Sequence, residues 1–276
     1  MLSSRRLREK QALFATLHKV MGAMKAMAFA EMNRLQQQMV SEQVCLMRYQ
    51  QAMRALLAGT EPAQQLRRSN TTEIVIGTER GFCGEINRRL ADYVSQDVPS
   101  DHTLLLIGER LHQSVSGRAF KRFSGAQSGE GIEAVVDALF EYWQGADGTP
   151  DSSDLRVTYW DDTHHQVATL TALMPLAAAV GEPLNETSPD DYTPACYLPR
   201  EVLRRELEPD LVFALLHCAV KMALLSENRQ RVSHLDAATR HLKDKNENLR
   251  VQANQLRQSN IISEVEALLS VQEGLA

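Results

Sequence analysis

Residues 74–90, IVIGTERGFCGEINRRL, set three glycines between an apolar run and a helix-like segment. A strand, a glycine-bearing turn and a helix in that order could cradle a phosphate, because glycine lets the backbone approach a pyrophosphate at a helix N-terminus. The spacing fits neither standard form. A Walker loop ends in Gly-Lys-Ser/Thr so that lysine reaches the phosphates, whereas Gly84 is followed by Glu85, whose carboxylate repels them. A dinucleotide fingerprint places its glycines two and then three apart, and Gly77, Gly81 and Gly84 lie four and then three apart. Gly81, Cys83 and Gly84 are therefore expected to serve turn geometry and close packing, with Cys83 a small buried side chain.

Outward from this turn, residues 70–200 alternate strand and helix signals. The strand EIVIG precedes the helix EINRRLADYV; the strand TLLLIG precedes the helices ERLHQSV and GIEAVVDALFEYW; then come the strand DLRVTYW and the apolar run QVATLTALMPLA. Such alternation predicts an α/β domain with a small doubly wound, mainly parallel sheet. GADGTPDSSD and VGEPLNETSPDDYTP are loops by composition.

The flanks differ. From Leu7 to Leu57 there is no proline, and Phe14, Leu17, Met21, Met24, Ala28, Leu35, Met39, Leu46, Tyr49, Met53 and Leu56 recur mostly at steps of three and four. This predicts a helix of roughly 75 Å ended by Gly59–Pro62. After Pro209, Cys218, Leu225 and Val232 lie seven apart, as do Leu235, Leu242, Leu249 and Leu256. A helix over about 210–270 would run roughly 90 Å and pair along one narrow seam, its other faces being very polar. The expected divisions are 1–60 and 205–276, helices that pair with each other, and 70–200, the α/β domain.

The 276 residues carry 10 methionines, few aromatics (5%) and a net charge of −5, which argues against general nucleic-acid binding. Residues 1–34 nevertheless hold seven Arg and Lys against two Glu, so this end suits an acidic partner surface. Cys45, Cys83, Cys196 and Cys218 are too scattered for a metal pattern and suggest a reducing compartment. MLSSRRLREK lacks the apolar stretch of a secretory signal, and no run is expected to approach the ~20 apolar residues of a membrane span. No catalytic set, cofactor or metal site is expected. His164-His165 fits a surface turn, and His234 and His241 lack companions that would complete a site.

Three segments together resemble one family, the gamma subunit of the F-type ATP synthase. KVMGAMKAMAFAEMNRLQ (19–36) is similar to its N-terminal helix, TERGFCGEIN (78–87) to its glycine-turn motif, and SENRQRVSHLDAAT with LRQSNIISEV to its C-terminal helix. The resemblance implies a non-catalytic central rotary shaft, an antiparallel coiled coil plus an α/β domain, that couples ion flow to ATP synthesis or hydrolysis. Implied partners are the alpha and beta subunits of the catalytic hexamer, the epsilon subunit and the ring of membrane c subunits, with no cofactor, nucleic acid or small-molecule substrate. The implied location is peripheral, on the cytoplasmic face of the inner membrane. Met24 falls at a beta-subunit contact, and Arg231 and Gln258 at the beta-subunit catch; Lys25, Arg257 and Glu264 come from the same stretches. Glu85, His234-Leu235, Ile262 and Val271-Gln272 depart from the family pattern and suggest a divergent bacterial branch. Two other readings stay open: a parallel leucine-zipper homodimer with an α/β sensor domain, and a nucleotide-binding enzyme.

Overall fold

The computed structural model describes residues 4–57, 71–145, 154–171 and 197–273. In chain order the elements are α1 (Ser4–Leu57), β1 (Thr71–Ile76), α2 (Ile86–Gln96), β2 (Thr103–Ile107), α3 (Glu109–Ser114), β3 (Lys121–Phe123), a 3-10 turn (Gly129–Gly131), α4 (Ile132–Gln144), β4 (Asp154–Asp161), β5 (Gln166–Thr171) and α5 (Arg200–Glu273). The helix end expected at Gly59–Pro62, Cys196 and nearly all of the two composition-based loops lie outside the described residues. Two compact units emerge: Phe29–Arg231, and Met1–Ala28 together with Val232–Ala276.

In the larger unit the strands lie in the order β3-β2-β1-β4-β5. The first four are parallel, and β5 returns antiparallel to β4 through a short turn. Parallel strands need helical crossovers and so are covered on both faces, which is why TTEIVI and TLLLI read as nearly continuous apolar runs. Successive side chains of β1 point to opposite faces. Val75 packs with Leu104, Leu106 and Trp160 beneath Ile86, Leu90 and Val94 of α2 and Leu111 of α3. Ile74 and Ile76 join Leu105, Ile107, Val157 and Tyr159 on the other face. That face is covered by α4 and by the long helices: Leu35, Met39, Leu46 and Met53 of α1, and Leu211, Leu215, Leu216 and Ala219 of α5. Within this unit the two helices are also tied by charge. Glu42 of α1 accepts from Lys221 of α5, and His217 lies 3.6 Å from the same carboxylate.

The smaller unit is an antiparallel pairing of the first part of α1 with the last part of α5. Lys25 donates to Asp236, while Leu7 shares a cavity of about 390 Å³ with Gln252, Gln255, Leu256 and Ser259. Among the described residues of this unit, Leu7, Ala28 and Leu235 are the buried hydrophobics. Phe14, Met21, Leu242, Leu249 and Leu256 are half-buried. The seam runs within one chain, so the leucine series already has an intramolecular partner, as the antiparallel reading requires.

Three features differ from expectation. First, α5 starts at Arg200 and runs through Pro209. The amides of Val202 and Leu203 donate to the Pro199 carbonyl, and Leu207 and Leu211, on either side of Pro209, pack into the core; their burial outweighs the bond that proline forfeits. Second, β3, with only three residues, has no period long enough to read, yet it extends the sheet beside β2. Third, α5 does contain an 18-residue window apolar enough, by length and composition, to cross a membrane, which corrects the expectation that no such run exists. That window is 61% buried, as a core helix is.

The glycines of the opening stretch separate in their roles. A Cβ on Gly77 would stand 2.4 Å from Leu111 Cβ and 2.7 Å from Asn87 Oδ1, and Gly84 holds φ at 59°. At Gly81 the nearest atom to such a Cβ is 3.7 Å away, an ordinary contact. Gly77→Ala should accordingly destabilise the chain by about 1–3 kcal/mol, and Gly81→Ala by no more than about 0.5 kcal/mol, as read from urea denaturation.

Candidate functional site

The turn after β1 is closed by its own side chains. Asn87 Oδ1 accepts from the Thr78 amide at 3.0 Å and Asn87 Nδ2 donates to Thr78 Oγ1 at 2.8 Å, so the start of α2 is tied to the end of β1. Cys83 Sγ donates to the carbonyls of Arg80 and Gly81 at 3.2 and 3.3 Å. Glu85, at the head of α2, pairs with Arg88 at 2.6 Å and Arg89 at 3.6 Å, and the Arg88 hydrogen bond holds its carboxyl below the usual range.

Closed in this way, the turn offers Arg80 to α5. Arg80 Nε donates to Glu227 Oε1 at 2.9 Å and Nη2 to Asn228 Oδ1 at 3.1 Å. In the opposite direction, Arg231 Nη1 donates to the Gly81 carbonyl at 2.9 Å. The turn between β4 and β5 grips the same length of helix. The Asp162 amide reaches Ser226 Oγ at 3.4 Å, Arg229 Nη1 donates to Thr163 Oγ1 at 2.7 Å, and the Gln230 amide donates to Asp162. That second turn is stiffened by Asp161, which accepts from the Thr163 amide at 2.8 Å and pairs with His164 Nδ1 at 2.6 Å.

The two turns follow β1 and β4, neighbours from which the chain proceeds to opposite sides of the sheet. In open α/β sheets the crevice outside such strand ends is where ligands bind. Here α5 occupies it with residues 226–231, and the ionic contact it brings is an Arg–Glu pair. Glu227 is 3% exposed, and burial pushes its carboxyl up even though Arg80 pulls the other way. A carboxylate at this position opposes a phosphate, which counts against a nucleotide at this turn. Beside the grip a cavity of about 410 Å³ remains, lined by Asp161, Thr163 and His164 of the β4–β5 turn, Ser226 and Arg229 of α5, and Met39 of α1.

Cys83 is no nucleophile. Burial, reinforced by the neighbouring Glu227 charge, pushes its thiol up to about 11, and burial pushes Cys218 up to about 12. His164 and His165 lie in the surface turn expected of them. Among the described residues no group of three or more His, Cys, Asp and Glu could hold a metal ion.

The sequence-derived contact residues are distributed as follows. Arg231 belongs to the larger unit and is 6% exposed; it is committed to Gly81, an intrachain partner that the sequence reading did not foresee. Met24 and Lys25 are half-buried in the smaller unit, where Lys25 pairs with Asp236 and lowers that carboxyl. Arg257 and Gln258 are exposed on α5. The side chain of Glu264 lies outside the described residues. Arg80, Glu227 and Asn228 were not anticipated as a group. Their signal was present, since SENRQR places charge and amide groups in a helix that is apolar just before it.

No curated protein matches the sequence. A family model described as ATP synthase matches residues 3–275. Among solved structures, a chain of the Euglena gracilis mitochondrial ATP synthase, solved with OSCP, F1 and c-ring in rotational state 3, is 17% identical with a TM-score of 0.58, covering 99% of this chain and 94% of that one. A chain of the rotor of the same organism's enzyme in rotational state 1 gives 17% and 0.58, covering 94% and 98%. A chain from the central stalk and c-ring of the Tetrahymena thermophila mitochondrial enzyme gives 15% and 0.53, covering 79% and 99%.

Two predictions test the junction. Arg80→Ala strands a buried carboxylate and should cost about 3 kcal/mol. Because the folded carboxyl of Glu227 titrates above the 4.5 of the unfolded chain, the native state holds the proton longer, and stability falls as pH rises from 4.5 through the folded value. Denaturation at a series of pH values should show that slope flattened in Glu227→Gln and steepened in Arg80→Ala. Alkylation at pH 8, followed by peptide mass analysis, should modify exposed Cys45 first, with buried Cys83 and Cys218 on the order of a hundred-fold slower.

Proposed function

The chain belongs to the family of ATP synthase gamma subunits, the non-catalytic central shaft of the rotary enzyme, and from that premise we propose how its two units serve the shaft. The smaller unit turns inside the ring of alpha and beta subunits. The larger unit meets the ring of c subunits, and an epsilon subunit grips its sheet domain. The chain is held peripherally at the cytoplasmic face of a bacterial inner membrane by these partners.

The observation that carries this reading is the grip of two sheet turns on residues 226–231 of α5. A shaft must pass torque between the part driven by the membrane sector and the part that faces the catalytic subunits. Apolar packing alone lets a helix roll or slide, because a hydrophobic contact has no direction. The junction adds directional bonds from both sides, so a twist applied to the sheet is delivered to the helix. No side chain needs to act on ATP for this to work.

In the smaller unit the surface suits repeated docking onto equivalent neighbours. Leu13 (55% exposed), Leu17 (39%), Val20 (51%) and Met27 (74%) follow one another along α1 among basic and small residues, an apolar stripe for a partner to meet. Met24, Arg257, Gln258 and Glu264 are the residues proposed to touch the partner ring, with the basic N-terminal segment facing acidic loops.

Purification of the tagged chain from gently solubilised host membranes tests the assignment. The expected product holds one copy with about three each of two related nucleotide-binding chains and hydrolyses ATP. A soluble homodimer without ATPase partners would overturn it. In the purified complex, Met24→Ala and Gln258→Ala should lower ATP synthesis while leaving hydrolysis within about two-fold of the parent.

A further inference from the structure

Lys25 comes from the same stretch of the family resemblance as Met24, which makes it a candidate partner contact, yet within the smaller unit it is engaged by its own chain. Lys25 Nζ donates to Asp236 Oδ1, and the second oxygen of that carboxylate is taken by Arg240 from one turn further along α5. Asp236 is thus held from two sides. It also directly follows Leu235, one of the buried hydrophobics of this unit.

Over residues 7–25 the seam does little to define how α1 sits on α5, whereas from Leu35 onward core packing and the Glu42–Lys221 pair already hold the register of the two helices. Met21 and Met24 are half-buried, and thioether chains adapt to more than one setting. Gly22, one turn before Lys25, faces open space, since a Cβ there would meet nothing within 4 Å. From Lys25 toward the N-terminus, the next buried hydrophobic side chain of α1 is Leu7. A narrow seam of small and flexible groups leaves neighbouring rotational settings close in energy, and a polar pair at one position is the device that separates them.

We propose that Lys25 is a positioning residue: its pair with Asp236, oriented by Arg240, fixes the rotational setting of the first part of α1 on α5, so that Met24 is presented to the partner ring. The side chains of Lys25 and Asp236 are 38% and 28% exposed, and ion pairs this open contribute little to stability. Geometry is what the pair supplies. Without the pair a different setting costs the chain little and carries Met24 to another azimuth.

The proposal rests on the shaft reading for its functional arm, and a second arm stands apart from that reading. In the purified complex, ion pumping per ATP hydrolysed is compared for the parent, Lys25→Met, Asp236→Asn and the charge-inverted K25E/D236K/R240E. In the full chain alone, the setting is read as the yield of oxidative cross-linking between L7C and L256C, located by mass spectrometry. The single variants should lose about two-fold in pumping per ATP and a similar share of the cross-link, with hydrolysis retained, and the inverted triple variant should recover both. Singles that match the parent in both assays would overturn the proposal. So would singles whose losses the inversion does not repair, because the charge of Lys25 would then answer to a partner chain. If the parent itself assembles with no ATPase partners, the shaft reading fails, while the cross-link still decides whether Lys25 sets the position of the first part of α1.

Discussion

A parallel sheet has two apolar faces, and both must be kept from water. In this protein one face is covered by α2 and α3, short crossover helices of the usual kind. The other receives α4 together with Leu35, Met39, Leu46 and Met53 of α1 and a run of residues from Leu211 to Leu225 of α5. The long helices are therefore not appendages to the sheet domain. They are part of one of its layers, and without them α4 alone would be left to cover Ile74, Ile76, Leu105, Ile107 and Val157. The same residues fold the domain and root the shaft.

Packing supplies the energy of this arrangement and polar bonds supply its geometry. Burying Glu227 costs more than its pairing with Arg80 is expected to return, which is why its carboxyl titrates high. A well-packed apolar pair would hold the helix as firmly against withdrawal. It would not hold it as firmly against rotation, because methyl groups pass one another with little change in energy, whereas the Arg80 guanidinium meets Glu227 and Asn228 in one orientation. Arg231 adds a bond of the opposite sense, from helix to turn, and the β4–β5 turn closes the far side. The junction resists motion about the helix axis from two directions.

How much of this the sequence discloses follows from the reach of each signal. Period-two and period-3.6 patterns are local, so β1, β2, β4 and α1 to α4 could be read from their own residues, and the absence of a Walker lysine after Gly84 was enough to doubt a phosphate site. The start of α5 was misplaced because Pro209 is a local stop signal overridden by core contacts made by Leu207 and Leu211. β3 is too short to carry a period. The junction was invisible for a different reason: Arg80 and Glu227 stand 147 residues apart, and no local pattern links them. What could have been noticed is that two of the three segments resembling the family, the glycine turn and SENRQR, share an excess of charge in otherwise apolar surroundings. Each is the other's explanation.

A doubly wound sheet ordinarily leaves the crevice at its reversal point for a metabolite that comes and goes, so that the domain has a loaded state and an empty one. Residues 226–231 of α5 engage the turns at that point as a covalently tethered partner, present at an effective concentration no free molecule reaches. The turns are thereby committed to a segment that cannot diffuse away. What this architecture ordinarily offers to a nucleotide, this chain offers to its own helix.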